Sequence, residues 1–184
     1  MQRHARVALL RDDEMDAEQR ALAADISGSR SGVIGGPFAI WLRTPEIGKR
    51  VSALSDRLRK NSSFEKRIVE LLVLIVTRDW KAQYAWTAHA VQALEAGISA
   101  GVIEALRTKT EPAFARDDER LIYDIFGALS GARTMDDATY ARGVAAFGVN
   151  GMIELVTTAG LYTTISMMLV TFAVPASNGE RTLG

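Results

Sequence analysis

The sequence predicts an all-α protein built as a single-domain, multi-helix bundle. Apolar residues recur at helical spacing along most of the chain, short polar or Gly/Pro-containing breaks separate these stretches, and no sustained alternation of period two is present. A length of 184 residues, 48% of them hydrophobic, is enough for one domain with a substantial core. We expect an N-terminal helix and loop over 1–31, a helical domain over 32–175 and a flexible tail over 176–184.

The first half of the chain contains three predicted helices. An amphipathic stretch over 13–26 precedes a glycine-rich loop over 27–37. A proline suits the first turn of the next helix, predicted over 45–60. Polar residues at 61–63 are then expected to cap the following helix, which contains Glu70.

The second half is predicted to be helical as well. A bend near 78–80 leads into the helix that carries His89, and Gly97 ends that helix. The remaining helices are separated by short breaks, and they are predicted over 98–106, 117–130, 135–147 and, for an apolar final helix, after 150–151.

The final apolar segment, 151–175, is close to the roughly 20 residues that cross a bilayer. Glu154 is costly near hydrocarbon, hydroxyl side chains dilute the segment, and basic flanking residues are missing at both ends. We therefore expect a helix buried in a helical core or at a subunit interface, with no membrane as partner.

Balanced charge argues against some partners, and the absence of cysteine excludes one kind of chemistry. Lys plus Arg equals Asp plus Glu at 22 each, so no global field favours nucleic acid or an anionic membrane. The N-terminus lacks the apolar core and cleavage site of a secretory signal, which makes a cytoplasmic location the expectation. The sequence contains no Cys, so disulfides, thiolate metal sites and thiol-based peroxide reduction are excluded.

One acid and one histidine lie among apolar and aromatic residues in the segment 70–89. Residues three and four apart share a helix face, so Ala82, Ala85, Trp86 and His89 form one stripe. The two small alanines would leave space beside the imidazole if this face borders a cavity. If the two helices form a hairpin, Glu70 approaches His89 and can hold its tautomer or raise its basicity.

Each of these residues also has a purely structural explanation. His89 could be a core histidine bonded to a backbone carbonyl, and Glu70 could form a buried ion pair with Arg67 or Arg78. The nearby aromatic residues either line a pocket for a planar ring or fill the core: Trp80, Tyr84 and Trp86.

The spacing of Glu70, Ala82, Ala85 and His89 resembles that of the carboxymuconolactone decarboxylase and alkylhydroperoxidase D-like superfamily, in which Glu-x11-Cys-x2-Cys-x3-His recurs. Alanines stand at both cysteine positions, so a hydroperoxidase activity is disfavoured. Non-redox relatives usually carry Glu where this chain has Ala85. A second match, to the lead-in of longer non-redox members, extends the resemblance to about 32–175 and rests on Gly36, Pro37, Phe38, Trp41, Leu42, Pro45 and Glu46.

The resemblance implies a cofactor-free decarboxylase or related lyase that acts on a small anionic lactone or carboxylate in the catabolism of aromatic compounds. His89 is the expected acid/base, Glu70 orients it, and Tyr84 donates to a developing oxyanion. Arg43 or Arg67 would bind the substrate carboxylate. No metal or other cofactor is expected, since no second His or Cys lies near His89. The other residues expected to contact substrate are Trp41, Trp80, Ala85 and Trp86.

The alternative is a catalytically silent protein that binds a small ligand or serves in assembly on the same fold. Ala85 favours this alternative, because the usual carboxylate is absent there. Under both hypotheses a homo-oligomer is expected, as a dimer, trimer or hexamer. Relatives assemble through helices, and 151–172 offers more apolar surface than a small monomer easily hides.

Overall fold

A computed structural model describes residues 5–29, 34–176 and 183, and within these ranges all regular secondary structure is helical. The prediction of an all-α protein is confirmed. A short 3-10 turn, Asp12–Glu14, precedes the first helix, and the helices are α1 Ala17–Ser29, α2 Pro37–Trp41, α3 Pro45–Lys60, α4 Lys66–Asp79, α5 Gln83–Glu95, α6 Ala100–Thr108, α7 Asp117–Gly127 and α8 Asp137–Thr171.

Helix α4 lies at the centre of the molecule. Every residue from Arg67 to Arg78 is buried, and α4 packs against α5, α6, α7 and α8. An apolar sequence on all sides gives a helix that other helices surround. Central burial also means that a charged side chain within this buried stretch needs a polar partner from a neighbouring helix.

Helices α4 and α5 form the hairpin expected from the sequence. Lys81 adopts a left-handed conformation with φ of 50°, and the amide of Ala82 donates to the carbonyl of Thr77 over 2.8 Å. The side chain of Thr77 is fully buried and donates back to the carbonyl of Val73 over 2.8 Å. This tight turn sets the two helices against each other and fixes which of their faces meet.

The predicted cap of α4 is wrong. The residue preceding α4 is Glu65, and no side chain caps the helix. Instead, Ser62 and Ser63 hold Glu154 of α8: their hydroxyls donate to its carboxylate over 2.5 and 2.9 Å, and the amide of Ser63 donates over 2.9 Å. Burial alone would raise the pKa of Glu154, but these hydrogen bonds outweigh it and hold the pKa below its usual range. Ser62 and Ser63 therefore bind the carboxylate of Glu154 instead of capping α4.

Helix α8 contains the break that the sequence placed near 150–151. The break lies at Gly148, whose φ of 68° and ψ of 170° are not helical. This conformation favours glycine. Helix α8 is long and apolar enough to span a bilayer by length and composition, and 44% of its most apolar window is buried inside the molecule. It packs against α4 and α7, as a core helix does.

Other boundaries differ from the prediction by a few residues. The first helix begins at Ala17 and extends to Ser29, and α7 ends at Gly127, where a π-helical turn, Ala128–Ala132, follows. Part of the glycine-rich loop, 30–33, and most of the predicted flexible tail, 177–182 and 184, lie outside the described residues. Leu183 is described: it is buried, and its amide donates to the side chain of Gln83 over 2.9 Å.

Candidate functional site

A buried carboxylate–imidazole pair connects α4 and α5. Nδ1 of His89 lies 2.6 Å from Oε2 of Glu70, and the two residues are 8% and 2% exposed. With Glu70 as a carboxylate, which can only accept, Nδ1 of His89 is the donor and Nε2 is the ring nitrogen left to exchange a proton. The structural alternatives do not describe this pair, because His89 is bonded to Glu70 and Glu70 is not paired with either Arg67 or Arg78.

The pair borders a cavity of about 580 Å³. Helices α3, α4, α5 and α8 form its walls, and the segment 35–38 covers one side. Ala85 and Ala88 lie on the cavity face of α5 next to His89, and their short side chains leave this space open. The volume lies within the range of small-molecule sites, roughly 300–1,000 Å³.

Tyr84 lies in the cavity wall at the start of α5. The backbone of Gly36 runs so close to its ring that a Cβ at this position would lie 2.8 Å from Cζ of the tyrosine. Gly36 also has a φ of 58°, so both its conformation and its surroundings require glycine. Burial raises the pKa of the Tyr84 hydroxyl, which keeps it protonated and able to donate a hydrogen bond.

Tyr162 of α8 packs edge-to-face on the imidazole. The ring centroids of Tyr162 and His89 are 5.2 Å apart and the ring planes meet at 88°. Together with Glu70, this contact fixes the orientation of the imidazole plane. Sequence reasoning missed Tyr162, since nothing in the local pattern of α8 distinguishes it from a residue that fills the core.

Cationic side chains line the outer part of the cavity. Arg59 and Lys60 come from the last turn of α3 and Lys66 from the first turn of α4, and all three are exposed. Arg59 donates to Gln92 over 2.9 Å, and Lys60 lies 3.0 Å from a carboxylate oxygen of Asp56. Within the described part of the chain, Lys66 has no hydrogen-bonding or ion-pair partner. Lys66 precedes Glu70 by one helical turn, a spacing visible in the sequence that could have identified it.

The structure does not place the two expected arginines in this cavity. Arg43 donates to the carbonyl of Ala8 over 2.8 Å on the surface of the molecule. Arg67 points to the opposite side of α4, where it lies 2.7 Å from Asp118 and 2.8 Å from Glu119. Burial alone would lower the pKa of Arg67, but the hydrogen bonds and charges of the two acids raise it. Arg67 is therefore committed to joining α4 to α7.

Three tryptophans that were expected to contact substrate also lie outside the cavity lining. Trp41 and Trp86 are buried in the core, where Trp41 packs edge-to-face on Phe38 with ring centroids 5.5 Å apart. Trp80 lies in the turn between α4 and α5 and is 36% exposed. Of the expected site residues, the structure brings together Glu70, Tyr84, Ala85 and His89.

Among the described residues, no group of three or more His, Asp or Glu side chains is arranged to hold a metal ion. Within the cavity, His89 and Glu70 are bonded to each other, and Asp56 lies with Lys60 in the outer part. What this arrangement can do is transfer a proton at His89, donate a hydrogen bond from Tyr84, and attract an anion through the outer lysines and arginine.

Comparison with known proteins identifies the fold. No family model matches the sequence, and no curated protein matches it. An uncharacterized peroxidase-related protein from Silicibacter sp. TM1040 superposes with a TM-score of 0.75 at 14% identity, over 97% of this chain and 95% of that one. A protein of unknown function from Agrobacterium tumefaciens, described as a candidate AhpD antioxidant-defence protein, superposes with a TM-score of 0.65 at 18% identity, over 74% of this chain and 94% of that one.

These similarities define the class of protein: the chain has the all-α, alkylhydroperoxidase D-like fold. Within that class it is a cysteine-free protein, with alanines at 82 and 85 and a Glu70–His89 pair on an internal cavity. At these identities the resemblance establishes architecture, and function has to be argued from the site.

Proposed function

We propose that the protein is a cofactor-free lyase that decarboxylates a small anionic lactone by acid–base chemistry at His89. The observation that carries this proposal is the 2.6 Å Glu70–His89 pair at the wall of a cavity with a cationic outer part. A buried carboxylate that orients an imidazole is the usual means of preparing a histidine for proton transfer. The location we propose is the cytoplasm, and the role is in the catabolism of aromatic compounds.

The chemistry requires few groups. When the C–C bond to the substrate carboxylate breaks, CO2 leaves and the bonding electrons delocalise onto the ring carbonyl of the lactone. Tyr84 donates a hydrogen bond to that developing oxyanion, which is stabilised most where water is scarce. The protonated imidazole of His89 then delivers a proton from Nε2 to carbon, and solvent restores it. Glu70 holds Nδ1–H throughout and stabilises the imidazolium.

The cationic outer residues take the role that the sequence assigned to Arg43 and Arg67. Lys66 is the strongest candidate for the substrate carboxylate, because it has no partner in the described part of the chain and lies one turn from Glu70. Arg59 is already held by Gln92, so it is positioned to form a second contact. An ammonium and a guanidinium at the cavity mouth also attract an anion from solution.

The test is turnover of carboxymuconolactone, followed by ultraviolet absorbance with CO2 release measured in parallel. We expect turnover by the native protein and a loss of roughly 10²–10⁴-fold in His89→Gln, the range of general acid–base contributions. The matched control is the substitution Ile165→Val, which alters the cavity wall by one methylene and touches neither the proton-transfer pair nor the cationic residues. Equal turnover by native protein and His89→Gln would refute the acid–base role.

A second candidate function is binding of the same class of ligand without reaction. Ala85 favours it, since this residue lines the cavity at the position where non-redox relatives usually carry Glu. In that case the native protein binds the lactone without releasing CO2, and Ala85→Glu acquires turnover. Lactone binding by both native protein and His89→Gln, with no CO2 release by either, would support this candidate over the lyase.

The proposal includes self-association through α8. Beyond Gly148, exposed apolar residues lie at heptad positions on one face of α8, interrupted in the middle heptad by Gly160 and Thr163. The residues that define this stripe are Val149, Ile153, Val156, Met167 and Val170. Light scattering coupled to size exclusion should give a mass above the 20.0 kDa of one chain. Ile153→Lys should lower the mass, whereas a native monomer would contradict this part of the proposal.

A further inference from the structure

A second cavity, of about 290 Å³, lies at the C-terminal end of α4, away from the Glu70–His89 pair. Helices α6 and α7 and the π-helical turn after α7 complete its walls. Its polar and charged lining residues are Arg78, Asp79, Lys109, Thr110, Tyr123 and Ser130. Isolated π-helical turns occur often at functional sites.

Arg78 is the central group of this cavity. It is 8% exposed, and its Nε donates to the carbonyl of Leu106 over 3.1 Å. Its Nη1 is fully buried and has no hydrogen-bonding partner. Within the described ranges, 5–29, 34–176 and 183, no carboxylate lies within ion-pair distance of the guanidinium. The neighbouring acid, Asp79, also lines the cavity, but it is exposed and makes no ion pair with Arg78.

The neighbouring charges leave Arg78 without an ion-pair partner: Asp79 makes no ion pair with it, and Arg107 is paired with Glu104 over 2.6 Å. Burial and the charge of Arg107 both lower the pKa of Arg78. Lys109 lies at the exposed edge of the cavity with a left-handed backbone, φ 59°, which is uncommon for a residue other than glycine. A buried, unpaired cation is costly, and a bound anion removes that cost.

We propose that this second cavity is a binding site for a small oxyanion, a carboxylate or a phosphate, held by the guanidinium of Arg78 and by Lys109. The planar guanidinium presents parallel N–H groups that match the oxygens of such a group. Thr110, Tyr123 and Ser130 supply hydroxyls along the wall. The volume is near the lower limit of small-molecule sites, which fits a ligand of few atoms. This site is independent of the proposed lactone chemistry.

The experiment is an NMR titration of the full chain, at constant ionic strength, with malonate and with inorganic phosphate, using chloride as the matched salt. We expect saturable shifts of the amides of Thr110 and Ser130. The two ligands separate the sources, because tighter binding of one identifies the site as selective for carboxylate or for phosphate. Absence of saturation with both would overturn the proposal.

Two variants and a control locate the site. Arg78→Gln should weaken binding by about tenfold or more, the loss expected for a charge-assisted hydrogen bond. Lys109→Gln leaves the core intact and should weaken binding several-fold, so it tests the site even if Arg78→Gln folds poorly. Arg50→Gln removes an exposed arginine of α3 that is paired with Glu46, and it should leave affinity unchanged. Unchanged affinity in a folded Arg78→Gln, or in Lys109→Gln, would contradict the assignment.

Discussion

The two ends of α4 carry equally buried arginines that are used in opposite ways. Arg67 is 7% exposed and Arg78 is 8% exposed. Arg67 meets the carboxylates of Asp118 and Glu119 from the start of α7, whereas Arg78 meets a single backbone carbonyl. The two arginines are thus equally buried, but only Arg67 has carboxylates that neutralise its charge. The partners of a buried charge, more than its burial, therefore distinguish a structural ion pair from a candidate ligand site.

The largest expected effect is a loss of stability when Arg67, the arginine with acidic partners, is replaced. Arg67→Met removes the cation from Asp118 and the buried Glu119, and also from the exposed Glu65 at 3.5 Å. Breaking a buried pair from one side costs about 3–5 kcal/mol in the free energy of unfolding. Urea denaturation measures it. Arg120→Met, on the exposed surface of α7, is the control and should leave the urea midpoint nearly unchanged, because exposed ion pairs contribute little. A similar small cost for Arg67→Met would remove the contrast between the two ends.

The second-largest expected effect is a loss of turnover when the Glu70–His89 pair, which lies between the two arginines, is altered. Glu70→Gln keeps the shape and a hydrogen-bond acceptor for Nδ1–H but removes the negative charge that stabilises the imidazolium. We expect turnover to fall about 10–100-fold, which corresponds to roughly 1.4–2.7 kcal/mol.

The tautomer of His89 gives a readout that does not depend on turnover. The chain contains only two His, so ¹⁵N spectra of labelled imidazoles are readily assigned. Native protein should show protonated Nδ1, and Glu70→Gln should show a larger Nε2–H population. Identical spectra for both would mean that Glu70 does not hold the tautomer.

A smaller effect is expected in the pH dependence of stability, through the ion pair between Arg67 and Asp118. Burial alone would raise the pKa of Asp118, but the hydrogen bond and charge of Arg67 hold it below its ordinary value of 3.8. A lowered pKa means that this stabilisation is complete above about pH 5 and is lost as pH falls through the lowered value. Stability curves for native protein and Arg67→Met should therefore begin to converge near pH 3.8 and meet below the lowered pKa. Parallel curves would show that the ion pair contributes nothing to acid sensitivity.

The smallest expected effect is the change in stability when Arg78, the arginine without an acidic partner, is replaced. Arg78→Met removes a buried charge that has no acidic partner, so the loss of one hydrogen bond to Leu106 is offset by the charge no longer being buried. In buffer without oxyanions we expect the free energy of unfolding to change by less than about 1 kcal/mol, in either direction. A loss comparable to that of Arg67→Met would show that Arg78 is structural.

Much of the fold was predictable because it depends on local periodicity. The spacing of apolar residues predicted the helix 45–60, and it is found as Pro45–Lys60. The stripe on α5 and the bend before it predicted the approach of Glu70 to His89, which the structure shows. The predicted cap of α4 failed because Ser62 and Ser63 bind a side chain from a distant segment, Glu154.

The sequence by itself determined the helical class, the absence of thiol chemistry and the faces on which Glu70 and His89 lie. Only the tertiary structure decided that Tyr162 packs on the imidazole, that Lys66 rather than Arg43 or Arg67 borders the cavity, and that Arg78 has no acid beside it. The physical reason is that helical periodicity fixes the direction of a side chain around its own axis. Its partners come from helices far away in sequence, and these are set by packing of the whole core.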